Sequence, residues 1–267
     1  MKGVIEMNEN NYLVCKVDGH VGVLTLNRPD KHNAMNDVMM DALPAALQSL
    51  IDDARVRVIL LRAAGKSFCA GRDISALGQR KREESDFEFV RRAQDFRMMT
   101  IDCRKPVIAA VRGAAIGGGF ELALSADMRI FSKTAKVSLP EIIYGLLPDT
   151  GGTQFLTALI GPSLTKYLVM TGEALGADEA RGLGICDWLV EDAELDAKAM
   201  ALARKIANGP PQALCMAKQL VDNAWIGTVR NGLRQELLAI STLFRSDDYA
   251  EARAALREKR QPVYTGR

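Results

Sequence analysis

The sequence predicts an α/β fold of successive β-β-α units closed by a C-terminal helical layer. Three observations point to it. Short β-rich or wholly apolar runs alternate with longer helix-period stretches, glycine-rich turns join them, and helical signals dominate beyond Gly151. The 267 residues can bury a sizeable core, and 48% apolar with 25% charged residues is an ordinary globular balance. The expected organisation is a core over residues 1–205 carrying the active site, with a helical region over 206–267 suited to subunit contacts.

The elements follow in order. Leu13 to Val17 and Val21 to Leu26 are β-rich runs separated by Asp18-Gly19-His20, a hairpin signature. Asn36 caps a predicted helix running to about Asp53, with Val38, Met39, Ala42, Ala46, Leu47 and Leu50 on one side and a bend at Pro44. Val56 to Leu61 is nearly all apolar, as a buried strand requires. A loop through Gly65 and Gly71 precedes a charged helix ending near Cys103. The pattern then recurs: strand Pro106 to Val111, a glycine turn, a helix from about Gly118 to Ser125, and strand Met128 to Phe131. Past Gly151 only Trp188 to Val190 has strand character, and Pro210-Pro211 breaks the helices before the final amphipathic stretch.

With 35 basic against 33 acidic side chains the net charge is +2, so no global field draws the chain to nucleic acid or anionic lipid. Cys15, Cys69, Cys103, Cys186 and Cys215 are odd in number and form no C-x-x-C pair, which argues against a disulfide framework or a zinc site. The opening MKGVIEMNENNYLV lacks the apolar stretch of a signal peptide, and no run of about eighteen apolar residues occurs, so a cytoplasmic location is expected.

Several motifs are decoys. Gly65-Lys66-Ser67 resembles the end of a phosphate-binding loop, but Leu60 stands where its leading glycine belongs. Gly117-Gly118-Gly119 lacks dinucleotide-turn spacing, because Leu122 replaces the third glycine. No G-x-S-x-G elbow is present, and Ser163-x-x-Lys166 reads as a helix start. His20 and His32 are the only histidines, too few for an imidazole-based centre, so the chemistry must use carboxylates and backbone.

Three segments carry such chemistry. Val107 to Glu121 reads as strand, turn and helix start, where unpaired N–H groups and glycines admit a ligand oxygen. Glu121 stands one turn beyond Gly118, within reach of that oxygen's neighbours, though a packing turn with a solvent glutamate fits as well. Ser67 to Ile74 follows a buried strand and can aim the Arg72 N–H at the same oxygen, or be a surface turn with Arg72 and Asp73 solvated. Leu139 to Thr153 adds Glu141 and Asp149 before a glycine-rich helix entry, where Asp149 serves equally as a helix cap.

Together these segments resemble the enoyl-CoA hydratase/isomerase, or crotonase, family. The resemblance spans nearly the whole chain: Asn27-Arg28-Pro29 with Asn33-Ala34, Ala70-Gly71-Arg72-Asp73-Ile74, Pro106 to Val111, Gly118-Gly119-Phe120-Glu121, Pro140-Glu141, Gly151-Gly152-Thr153-Gln154 and Lys259-Arg260 occur in order. It implies a crotonase-like (ClpP/crotonase) spiral of β-β-α units with a C-terminal helical trimerisation layer. It also implies a homotrimer or a dimer of trimers, a coenzyme A thioester as substrate with no permanently bound cofactor, no metal, and neither nucleic acid nor membrane as partner.

The resemblance assigns the backbone N–H groups of Arg72 and Gly118 to an oxyanion hole and Glu121, Glu141 and Asp149 to proton transfer. It places Arg28, Ala34, Ala70, Asp73, Ile74 and Lys259 at coenzyme A- or substrate-binding positions, with the C-terminal region completing the coenzyme site. The implied reaction is addition of water across the 2,3 double bond of an enoyl-CoA, Glu121 acting mainly on the water and Glu141 mainly on C2. Asp149 departs from typical hydratases, which carry a small residue there, and the Glu121, Glu141, Asp149 set resembles that of dienoyl-CoA isomerases. Isomerisation by Asp149 and Glu141 is therefore the alternative, ahead of acyl-CoA hydrolysis and of a non-catalytic acyl-CoA- or RNA-binding scaffold. Acyl-chain selectivity is expected to lie in the segment from about Ile74 to Thr100 and in the C-terminal helices.

Overall fold

The computed structural model describes residues 4–6, 11–76 and 84–266; parts of the N-terminal segment and of the expected selectivity segment therefore lie outside the described residues. The chain opens with β1 (Val4–Glu6), β2 (Leu13–Asp18) and β3 (Val21–Leu26), followed by α1 (Asp37–Asp52), β4 (Val58–Ala63) and α2 (Asp86–Asp102). Next come β5 (Val107–Val111), β6 (Ala114–Ile116), α3 (Gly118–Leu124), β7 (Met128–Ser132) and β8 (Lys136–Ser138). A 3-10 turn at Glu141–Tyr144 leads to α4 (Gly152–Thr171), β9 (Leu175–Gly176), α5 (Ala177–Gly182), β10 (Trp188–Val190) and α6 (Leu195–Ala207). The chain closes with α7 (Pro211–Asn223), α8 (Ile226–Leu243) and α9 (Asp247–Glu258).

The strands form a seven-stranded sheet ordered β1-β2-β3-β4-β5-β7-β10 and a three-stranded sheet ordered β6-β8-β9. The first three strands of the larger sheet are antiparallel, and every later pairing in it is parallel. The β5-β6-α3 unit places one strand in each sheet and then a helix, whereas β2 and β3 of the first unit both lie in the larger sheet. The β4 unit follows the β5-β6-α3 plan, because Cys69 forms a parallel bridge to Ala115 before the chain enters α2.

Strand alternation divides the interior. Val21, Val23, Val58, Leu60, Ile108 and Ile130 face Leu195, Ala199, Ala203 and Ala207 of α6, whose alanines at four-residue spacing let the helix lie close to the sheet. The opposite faces of the same strands, with Leu24, Ile59, Leu61 and Ala109, join the main core under α1. Because β4 is buried on both faces, its sequence is apolar from Val58 through Leu61 rather than alternating.

Local chemistry sets the helix ends. The Asn36 side chain accepts a 3.0 Å hydrogen bond from the Met39 N–H and starts α1, and Ser85 with Glu88 forms a capping box for α2. Gly161, at φ 77° and ψ 168°, interrupts α4, and Pro162-Ser163 restart it, consistent with reading Ser163 as a helix start. The four buried cysteines and the partly buried Cys215 are free.

Some expectations need correction. The buried stripe of α1 is Met39, Leu43, Ala46, Leu47 and Leu50, while Val38 is exposed and Ala42 only partly buried. Leu43 lies four residues after Met39 and four before Leu47, so helix geometry places it at the centre of the stripe. The strand expected from Val56 begins at Val58, because Val56 is buried beside the sheet without joining it. Strands β1, β6, β8 and β9, two or three residues long, lie outside the expected elements, since none is long enough to establish a period. Among the described residues no helix is long and apolar enough to cross a membrane.

Candidate active site

A cavity of about 460 Å³ opens where the N-terminus of α3, the Ala70–Ile74 loop, α2, the 3-10 turn and α9 converge. Its floor is main chain. Gly117, the N-cap of α3, sits at φ 53° and ψ −129°, a conformation restricted to glycine, and a side chain there would come within 2.8 Å of Glu141 Oε1. A Cβ on Gly71, at φ 86°, would lie 2.6 Å from the Ile116 carbonyl, and one on Gly119 would lie 2.2 Å from the Cys69 carbonyl. Glycines at these three positions let the 69–72 segment and the helix entrance touch.

This contact brings together the two amides singled out from sequence. Gly118 is the first residue of α3, so its N–H has no intrahelical acceptor. The loop around Arg72 is held by its neighbours: Met35 N–H donates to the Gly71 carbonyl (2.7 Å) and Asp73 N–H to the Met35 carbonyl (3.0 Å). Among the described residues neither the Arg72 nor the Gly118 N–H has a hydrogen-bond acceptor, and both residues line the cavity. The Arg72 side chain turns aside to pair with Asp37 (2.5 Å), contact Met40 Sδ and stack over Phe89 at 5.1 Å.

Three of the acids occupy different settings. Glu121 is 1% exposed and is not among the cavity-lining residues. Its Oε1 accepts from the N–H groups of Thr150 (2.9 Å) and Gly152 (2.8 Å), and its Oε2 from the Thr150 hydroxyl (2.5 Å). Glu141 lines the cavity, and its buried Oε2 has no hydrogen-bond partner. Burial, reinforced by the neighbouring Glu121 charge, pushes the Glu141 carboxyl well above its ordinary 4.5. Asp149 also borders the cavity; burial first, then the Glu121 charge, raises it to about 7, against the pull of Arg97.

Two members of this cluster were missed by the motif reading. Glu236 of α8 accepts from the Gly151 N–H (2.9 Å) and the Thr153 hydroxyl (2.5 Å), and burial with the Glu121 charge lifts it to about 8. Arg97 of α2 is 3% exposed and donates from Nη2 to the carbonyl of the cavity-lining Gly118 at 2.7 Å. A sequence signal for both exists. The buried stripe Val90, Gln94, Arg97, Ile101 carries a glutamine and an arginine where apolar residues belong, and Glu236 interrupts the stripe Val229, Leu233, Leu237, Ile240. Gln94 spans the gap by donating to the carbonyls of Asp149 (2.7 Å) and Leu233 (2.8 Å).

Of the residues placed near the coenzyme, Ala70 and Ile74 line the cavity. Arg28, Ala34 and Asp73 sit beside that loop as a brace: Arg28 Nη1 bonds the Ala34 carbonyl (2.9 Å) and pairs with Asp73 (2.6 Å). Lys259 is exposed at the C-terminal cap of α9 and is not among the cavity-lining residues.

A family model described as enoyl-CoA hydratase/isomerase matches residues 16–267. A short-chain-enoyl-CoA hydratase of Clostridium acetobutylicum is 35% identical over 95% of this chain and 97% of its own. A probable enoyl-CoA hydratase of Rhizobium meliloti is 38% identical over 96% and 98%. Among solved structures, an enoyl-CoA hydratase/isomerase from Pseudoalteromonas atlantica T6c superposes with a TM-score of 0.85 at 28% identity, over 95% of this chain and all of that one.

Proposed function

The chain belongs to the enoyl-CoA hydratase/isomerase family, and from that premise we propose that it adds water across the 2,3 double bond of an enoyl-CoA thioester. The observation that carries this reading is the pair of unbonded N–H groups, Arg72 and Gly118, on the same cavity wall system as a carboxyl oxygen without a partner, Glu141 Oε2. Conjugation makes C3 electrophilic, and attack by water moves charge onto the thioester oxygen. Two fixed amide dipoles stabilise that charge with no reorganisation.

Glu141, whose burial and the neighbouring Glu121 charge favour its protonated form, supplies the proton to C2. Glu121 takes the proton from the attacking water through the one carboxylate lone pair left by its three donors. A coenzyme A thioester is the substrate, with Arg28, Ala34, Ala70, Asp73, Ile74 and Lys259 on the coenzyme side. Residues 206–267 form the subunit contacts of a cytoplasmic homotrimer or dimer of trimers.

A second reading is favoured by one specific feature: Asp149 and Glu141 both border the cavity, whereas Glu121 stands behind it. That pair suits proton shuttling along a dienoyl-CoA. Mass spectrometry of products from enoyl-, dienoyl- and epoxy-CoA thioesters separates the two. Hydration adds one water, and isomerisation leaves the mass unchanged. Under the hydratase reading Asp149→Asn keeps water addition within about tenfold. Under the isomerase reading activity rises with pH through about 7 as Asp149 ionises, and Asp149→Asn abolishes it.

A further inference from the structure

Four buried polar side-chain atoms among the described residues have no hydrogen-bond partner: Arg92 Nε, Arg97 Nε, Arg253 Nε and Glu141 Oε2. All four residues line the one cavity described above. Buried polar atoms are normally satisfied, so their concentration around a single space indicates a ligand that satisfies them. Glu141 is accounted for by proton transfer. Arg92 pairs through its other nitrogens with Asp41 (2.5 Å) and Glu84 (3.0 Å), and Arg97 is held by the Gly118 carbonyl.

Arg253 has no such anchor. Among the described residues no carboxylate lies within ion-pair distance of it, and its guanidinium stacks over the Tyr249 ring at 4.7 Å. Tyr249 in turn abuts Phe244, with ring centroids 5.5 Å apart, and Phe244 abuts Phe89 at 6.4 Å. The cavity thus carries an aromatic wall with an unpaired cation on α9. A guanidinium stacked on an aromatic face keeps its edge N–H groups for a planar anion, which it binds with two parallel hydrogen bonds.

We propose that this cavity accepts an acyl thioester whose chain carries a terminal carboxylate, and that Arg253 pairs with that carboxylate. The assignment rests on reading the cavity as an acyl-thioester site and names the substrate class within it. A plain hydrocarbon chain offers the buried Arg253 Nε no acceptor, and an unsatisfied buried donor is unfavourable. A phosphate of the coenzyme is the other anion at hand. At about 460 Å³, however, the space falls in the range that encloses one drug-sized group, which suits the acyl end rather than the nucleotide end.

The test compares kcat/KM for glutaconyl-CoA, a five-carbon enoyl thioester ending in a carboxylate, with that for neutral crotonyl-CoA. The intact protein is expected to favour glutaconyl-CoA, and Arg253→Met to lower the glutaconyl/crotonyl ratio at least tenfold, with Arg253→Lys in between. Calorimetry with the saturated thioesters glutaryl-CoA and butyryl-CoA reads the same preference without turnover. If neither enoyl thioester reacts but glutaryl-CoA binds more tightly in an Arg253-dependent manner, the hydration reading fails and the carboxylate assignment stands. Equal losses on both thioesters, the mark of a contact with the shared coenzyme, overturn it, as does a preference of the intact protein for the neutral chains.

Discussion

Glu121 and Glu141 flank the same helix entrance, yet one is held by three donors and the other keeps a buried oxygen without any. On the α3 side, three hydrogen bonds from residues 150 and 152 hold both oxygens of Glu121. On the side of the 3-10 turn, Glu141 keeps one buried oxygen with no donor at all. Two identical side chains therefore do different work. The donors tie Glu121 to the loop that carries Asp149, while their absence leaves Glu141 in the state that favours holding and releasing a proton.

The largest effect expected from this contrast is on rate. Glu141→Gln should lower crotonyl-CoA hydration about 10²–10⁴-fold, followed by loss of the enoyl absorbance, and should leave thermal stability at or above that of the parent. Full hydration by this variant would break the contrast.

Glu121→Gln should behave differently, losing activity and stability together. The carboxamide presents an NH2 to neighbours that are themselves donors, and stranding a buried donor costs about 1–3 kcal/mol. In a chain of this size each kcal/mol lowers the melting temperature by roughly 2–4 °C. A thermal melt matching the parent would show that the three hydrogen bonds do not hold the loop.

The smallest effect concerns Glu236, which shares the donor side through Gly151 and Thr153. Its folded-state value of about 8 lies above the ordinary 4.5, so the folded protein retains a proton that the unfolded chain releases. The stability this contributes is complete below about 4.5 and is lost as pH rises through about 8. Glu236→Gln should reduce the fall in melting temperature between about pH 5 and pH 9. An unchanged pH slope would remove Glu236 from the acid cluster.

Much of this was legible in the chain itself. The Val21–Leu26 strand, the glycine-rich entrance to α3 and the break at Pro210-Pro211 are local signals, each written within a few residues. Arg72, Gly118, Glu141 and Asp149 come to one cavity from three segments that each bore a local motif. Arg97, Glu236 and Arg253 bore none, because they sit within helices whose relevance depends on where those helices pack. Gly151 and Glu236 lie 85 positions apart. Periodicity could have flagged Arg97 and Glu236 as polar residues on an apolar stripe, but not which loop they would meet. That Glu121 is enclosed behind Thr150 likewise depends on the 29-residue separation closing in space.

The Gly119–Cys69 contact acts as a mechanical stop. Backbone packed so closely that a Cβ on Gly119 would fall 2.2 Å from the Cys69 carbonyl does not yield as a side chain does, so the main chain limits how far the 69–72 segment and the α3 entrance can shift against each other. The distant walls of the cavity can then be rebuilt for a longer, bulkier or charged acyl chain while the two amides proposed to stabilise charge keep their spacing.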